Sequence, residues 1–425
     1  MRRVVSAILV VLLFSLSSLT ASAQQREQVT ITFWNGWGGA RIPLMEKMIA
    51  DFEALYPWIK VENQIINLGN QRIEQLLLAV AAGTPPDVVM IDRADIPNFV
   101  RQDILLPLDS YIEADGLDLG IFYEPEIGSA QYAGRTWSLP IPTAGAKQLL
   151  FYNRDLLLQA GLSEADIPAN WAELEEVSRR LTRFNADGSL EQLGFTPTSV
   201  PDAGWDFWLF SNGGRLLSDD ARTLTLNTPE AVDTLEWFVS FVDTIIGGYP
   251  NLQAFPGTFL DGKRAFSMEG SWRWYELKAV NPDLPMGIAL PPAGPNGEPV
   301  NLVDRGWSYG IPKGVEHPYE SWLLIQYMTT HPDAACWFMV QQGRPSPVRA
   351  CNQDPALFEA NPYLDVIGEA LVRGYQIPIS PIHTQLFDSI RQLAQRALAG
   401  EPIQGLLEDA QRRLQAELDQ AWAQQ

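Results

Sequence analysis

Gly306-Trp307-Ser308-Tyr309-Gly310 has the Gly-x-Ser-x-Gly spacing of a hydrolase nucleophile elbow, in which a strained strand-to-helix turn offers a serine to a histidine base. His383 is the one reasonable downstream base, which makes an exported serine hydrolase the enzyme alternative. The flanks argue against it. Ile311-Pro312-Lys313-Gly314 continues as an extended segment broken by proline and glycine where an elbow requires a helix, so a strand with Trp307 and Tyr309 on one face is the default. Gly36-x-Gly38-Gly39 similarly starts a dinucleotide loop, but the third glycine would fall at Arg41, and no Walker lysine motif occurs. His317, His331 and His383 lie far apart without helical ligand spacing, so neither a metal site nor a cofactor is expected. Asn185-Ala186-Asp187-Gly188-Ser189 does not continue the ligand alternation of a calcium loop and reads as an Asp-Gly turn.

A different chemistry is better supplied. Of the 14 tryptophans, Trp34, Trp37, Trp205, Trp208, Trp272 and Trp307 fall in loops or at strand and helix ends, several beside glycine or a carboxylate. Flat rings that cover the C–H face of a sugar, with Asp or Glu accepting from its hydroxyls, make a polar small-molecule pocket. Asp92 and Glu269 are the acceptors to choose. Their structural alternative is a helix cap or a first-turn charge.

The elements that must position these groups follow from patterning. Val29 to Phe33 is β-branched and aromatic, hence a strand, and it runs into the Trp34–Gly39 loop before a helix marked by Leu44, Met48, Ile49, Phe52 and Leu55. Ligands of open α/β sheets bind at such carboxyl strand ends. Trp58–Glu62 reads as a strand, Arg72–Ala82 as a helix, and Val88–Ile91 as a buried strand ending at Asp92 and Arg93. Ala265–Met268 repeats the opening arrangement, with Glu269-Gly270 as the loop and Ser271-Trp272 starting a helix. Two long helices close the chain, one bearing Phe387, Ile390, Leu393 and Ala397, the other from Leu406 to about Trp422.

Length and composition set the frame. At 425 residues two domains are the prior, and the formal charge of -21, which becomes -23 without Arg2 and Arg3, disfavours nucleic acid and anionic membrane as partners. Met1-Arg2-Arg3, the apolar run from Val4 and Ala21-Ser22-Ala23 form the three parts of a secretory signal peptide, residues 1–23, with cleavage after Ala23. No cysteine follows that site, so a lipid anchor is not expected, and free diffusion in a periplasm is. Cys336 and Cys351 are the two cysteines; in an oxidising compartment a bridge would add about 3 kcal/mol, the alternative being two buried thiols.

Taken together, Ile31–Trp37, Ala81–Asp87, Leu139-Pro-Ile-Pro with Phe151–Asp155 and Ala160–Leu162, Gly262–Trp272, Tyr309–Gly314 and Arg344–Pro347 resemble the extracellular solute-binding proteins of bacterial ABC importers, in the branch that includes maltose and glycerol-3-phosphate binders. The likeness covers nearly the whole mature chain. It implies an α/β, two-lobed periplasmic-binding-protein fold of type II, each lobe a mixed sheet flanked by helices. It also implies a monomer that closes on ligand and delivers it to a membrane permease driven by a cytoplasmic ATPase. The chain would visit lobe one at 24–140, lobe two at 141–300, lobe one at 301–345 and lobe two at 346–425. Carried over by position, Trp37 with Gly38, Asp92 with Arg93, Trp205 or Trp208, Glu269-Gly270 with Trp272, Trp307 and Arg344 would line the cleft, Trp37 and Trp272 forming a closing pair. The expected ligand is an oligosaccharide or polyol. The runner-up is a glycerophosphoryl compound met by Arg273 or Arg344.

Overall fold

The computed structural model describes residues 27–66, 71–141, 146–199, 204–298, 300–302, 306–375, 377–378 and 380–423. The expected signal peptide lies outside the described residues. Eight strands build the two principal sheets: β1 (Val29–Asn35), β2 (Ile59–Ile65), β3 (Val88–Asp92), β4 (Leu139–Pro140), β5 (Leu149–Asn153), β6 (Phe266–Glu269), β7 (Met286–Ala289) and β8 (Trp307–Gly310).

The first sheet has the order β2-β1-β3-β8-β4. Alternation in β1 turns Ile31, Phe33 and Asn35 inward, and β1 pairs in parallel with β2 and β3. In β3 all of Val88 to Ile91 are buried because both faces are covered: Val88 and Met90 join one apolar cluster, Val89 and Ile91 another. The late strand β8 inserts antiparallel between β3 and β4, with Trp307 opposite Asp92. The second sheet, β6-β5-β7, is antiparallel. Its central strand β5 is again buried throughout, Leu150 and Tyr152 facing the larger core and Leu149 and Phe151 the smaller. The side chain of Asn153 turns β5 into the helix Arg154–Gln159 by accepting from the amides of Asp155 and Leu156.

Core membership traces the crossings. Leu139 and Ile141 pack in the first lobe, Ala146 and Leu149 in the second; Leu302 returns from the second and Tyr309 and Ile311 join the first. The third crossing differs from expectation. Val348 and Cys351 stay in the first core, whereas Leu357 and Leu364 enter the second, so residues 346–351 belong with the first lobe. The helix Trp337–Gln342 touches both lobes, Phe338 and Met339 in the first core and Val340 against the second. It ends at Gly343, which is left-handed at φ +58° and so close to its neighbour that a Cβ would lie 2.9 Å from the Cβ of Asn361. The helices His383–Leu398 and Ile403–Ala423 bury Ile390, Leu393, Leu407, Leu414 and Leu418 in the second core. Asn185–Ser189 is a hairpin turn in which Asp187 accepts from the amide and hydroxyl of Ser189. Among the described residues no helix is long and apolar enough to cross a membrane.

Cys336 and Cys351 are bridged, with Cα atoms 4.8 Å apart. The bridge staples the start of the two-lobe helix to the segment that precedes the third crossing. Closing this loop stabilises the fold by about 3 kcal/mol, mainly through the unfolded chain. The denatured, unreduced protein should titrate no free thiol, and Cys336→Ser with Cys351→Ser should lower the unfolding free energy from urea titration by that order; two reactive thiols would contradict the bridge.

Candidate functional site

Each lobe ends one strand in a carboxylate next to a tryptophan. In the first lobe, the antiparallel register of β3 and β8 puts half-buried Asp92 beside half-buried Trp307. One oxygen of Asp92 accepts from the amide of Ala94 at 2.9 Å, so the residue caps the following helical turn.

In the second lobe, Glu269 ends β6. Ser267 Oγ donates to its Oε1 at 2.7 Å, and Arg273 Nε donates to Oε2 at 3.1 Å. Burial pushes the Glu269 carboxyl above its ordinary pKa, while the serine and the guanidinium act against that shift. Gly270 follows because only hydrogen fits. A Cβ there would lie 2.1 Å from the indole of Trp272, whose half-buried ring covers the glycine backbone. Arg273 also donates to Glu276 at 2.8 Å, so its charge is shared between two carboxylates.

Between the lobes lies a cavity of about 370 Å³. The first lobe contributes Asp95, Asn98 and Tyr132 to it, the second His383, Gln385 and Trp422. It begins at Ala94, two residues beyond Asp92. Tyr132, Gln385 and Trp422 are absent from the sequence-based site. No local pattern marks them, since they meet only through the crossing of the lobes.

Several expected site residues belong elsewhere. Trp37 is buried in the first core, its ring against Phe338 with centroids 6.2 Å apart and the Arg41 guanidinium 4.9 Å over it. Gly38 is half-buried and precedes the turn Gly39–Arg41. The Arg93 side chain is fully buried and bound to Glu126, ion-pairing at 2.6 Å and donating to its carbonyl at 2.7 Å. It is a structural cation. Trp208 lies inside the helix Asp206–Ser211, among Trp171, Phe195, Phe207 and Trp237, its Nε1 donating to the Pro197 carbonyl at 2.9 Å. Trp205 precedes that helix and is also fully buried. Both tryptophans are core rather than stacking platforms. Arg344 is buried directly after Gly343, ahead of the third crossing. Ser308 is buried mid-sheet opposite Ile91 and Pro140, in a strand that no helix follows at once, so the elbow geometry is not formed; His383 lines the interlobe cavity instead.

Asp206 is an unforeseen buried carboxyl. Enclosure raises its pKa from 3.8 to about 6, although backbone amides of Gly204 and Phe207 and the charge of Lys147 oppose this.

The comparisons agree with this architecture. Residues 39–335 match the family described as bacterial extracellular solute-binding protein. A binding protein of Brucella abortus (strain 2308) is 26% identical over 327 residues, 74% of each chain. The maltotriose-binding protein of Pyrococcus abyssi is 22% identical over 363 residues, 83% of this chain and 73% of that one. Among solved structures, CpMnBP1 with mannotriose bound is 26% identical with a TM-score of 0.78, covering 91% of this chain and 99% of its own. Maltose-bound T. maritima MalE3, at 23% identity and a TM-score of 0.77 over 92% of this chain and 100% of its own, shares the fold.

Two outcomes follow from the geometry. Gly270→Ala should displace the Trp272 indole, seen as a shifted tryptophan emission maximum with the far-ultraviolet dichroism retained; an unmoved maximum would contradict the packing. Because the folded-state pKa of Asp206 lies above its unfolded value, its favourable contribution is present below about pH 4 and lost as pH rises through 6, a change of about 3 kcal/mol. Urea titrations should therefore find Asp206→Asn stabilised relative to wild type by about that much more at pH 7 than at pH 4. An equal difference at both pH values would refute the assignment.

Proposed function

The chain belongs to the bacterial extracellular solute-binding proteins, and from that premise we propose that it captures a neutral carbohydrate, an oligosaccharide or polyol, between its two lobes. The observation that carries the reading is the Glu269 strand end. A carboxylate fixed by Ser267 and Arg273 stands beside a tryptophan ring that is partly open, which suits hydroxyl recognition together with C–H stacking. The same cluster disfavours the glycerophosphoryl alternative. Arg273 is already shared by two carboxylates, so a phosphate would meet their charge as well as its own counter-ion.

The proposed contact set is Asp92 and Trp307 from the first lobe and Glu269, Gly270 and Trp272 from the second, with the interlobe cavity taking further rings. Mannotriose and maltotriose, bound by the relatives, are the natural probes. Ligand held by both lobes favours the closed arrangement over the open one by its differential affinity, and the closed form is what a membrane permease would receive. No bond of the ligand is made or broken. Residues 1–23 act as the export signal, cleaved after Ala23, and the mature chain works as a monomer in the periplasm.

A thermal-shift screen tests the ligand class, since a ligand at about 100 times its dissociation constant stabilises by about 2.7 kcal/mol. Mannotriose or maltotriose should raise the midpoint, and Trp272→Ala should abolish that rise while leaving the unliganded midpoint unchanged. A response to a glycerophosphodiester and to no sugar would overturn the carbohydrate reading.

A further inference from the structure

A continuous chain of polar contacts leads from Glu269 to the other lobe. Ser267 donates to Glu269, and Arg273 donates to Glu269 at 3.1 Å and to Glu276 at 2.8 Å. Glu276 then pairs across the lobes with Arg41 at 2.8 Å. On the first-lobe side Arg41 is held in turn. Its Nε donates to Gln342 Oε1 at 2.9 Å, and its guanidinium lies over the Trp37 ring. Tyr275 adds a second tie, its hydroxyl donating to the Ala40 carbonyl at 2.9 Å.

The placement of these groups matters. Glu269 and Glu276 occupy one strand end and the helix Arg273–Val280, whose Trp274 and Leu277 are anchored in the smaller core of the second lobe. Arg41 and Gln342 belong to the first lobe, and Gln342 ends the helix that touches both lobes just before Gly343. Rotating one lobe away from the other must lengthen the Arg41–Glu276 contact or drag Arg273 with it. Arg41 is nearly buried and Glu276 about one quarter exposed, so the pair is screened less than a surface pair.

We propose that Arg273, Glu276 and Arg41 are positioning residues that couple the orientation of Glu269 to the contact between the lobes. Closure sets the Arg41–Glu276 pair, which fixes the far side of Arg273 and thereby the carboxylate offered to the ligand. Conversely, a hydroxyl bound at Glu269 favours the arrangement in which the lobes touch. The Trp37 ring thus seats the arginine that crosses the lobes. The inference rests on the carbohydrate reading for its ligand, but not for the contact itself.

Two arms test it separately. Isothermal titration with mannotriose or maltotriose would compare wild type, Glu276→Gln, Arg41→Met and the double variant, with exposed Glu401→Gln as control. Each single change should weaken binding by about 5- to 150-fold, the range of ordinary site-to-site coupling, with the double change no worse than the weaker single one. The ligand-free thermal midpoint of Glu276→Gln should stay within a few degrees of wild type, which separates positioning from folding. In the second arm, Arg41→Cys with Glu276→Cys is treated with a short bismaleimide both with and without sugar. Cross-linking within one chain is expected, faster with a sugar that binds, and its absence under both conditions would overturn the contact. A cross-link together with unchanged or additive affinities would overturn the coupling; sugar-insensitive wild type with a cross-link would sink the ligand reading and leave the contact standing.

Discussion

A carboxylate that is to accept hydrogen bonds from a neutral ligand must remain charged in a place that closure makes dry. What surrounds Glu269 acts on such a carboxylate from both sides. Burial favours the protonated acid, and Ser267 and Arg273 oppose this by donating to the ionised form. Arg273 unshared would attract anions and make the pocket selective for phosphate. Glu276 removes that excess charge, and Arg41 from the other lobe balances Glu276. One half-buried carboxylate at a strand end thus stands at the head of a row of alternating charges that ends in the opposite lobe.

The topology supplies the two sides of this row. Because β8 returns from the second lobe to sit between β3 and β4, the first sheet is completed by a strand far along the chain, and Trp307 lands beside Asp92. The third crossing brings Gln342 to Arg41 and then, past the Cys336–Cys351 bridge, carries the chain to Asn361 and the second core. Three passages make relative motion of the lobes a constrained rotation, the kind of movement that hinge closure needs.

Much of this was legible in the sequence, for physical reasons that also mark where legibility stops. Strands such as Val88–Ile91 and the one around Phe266 announce themselves by patterning, and the glycine after a carboxylate marks where the strand Phe266–Glu269 ends. Tryptophan position was a poorer guide. Trp208 is expected in a loop or at an element end, yet it lies inside a buried helix of six residues, Asp206 to Ser211. Trp37 and Arg93 stand next to strand ends but turn inward, toward Phe338 and Glu126, partners remote in sequence. The Arg41–Glu276 pair has no local spacing at all, and the state of the two cysteines depends on a distance that only the packing of the first core sets. Periodicity encodes faces; it does not encode which distant element a face will meet.

The central claim is that a neutral sugar is read by Glu269 and Trp272 at the junction of the lobes. A crystal structure of the mature chain grown with mannotriose or maltotriose tests this most directly. The account predicts a pyranose ring stacked on the Trp272 indole, a ligand hydroxyl within hydrogen-bonding distance of Glu269, and Asp92 or Trp307 touching the same molecule from the first lobe. A sugar bound with clear density away from Glu269 and Trp272, or held by one lobe alone, would contradict it.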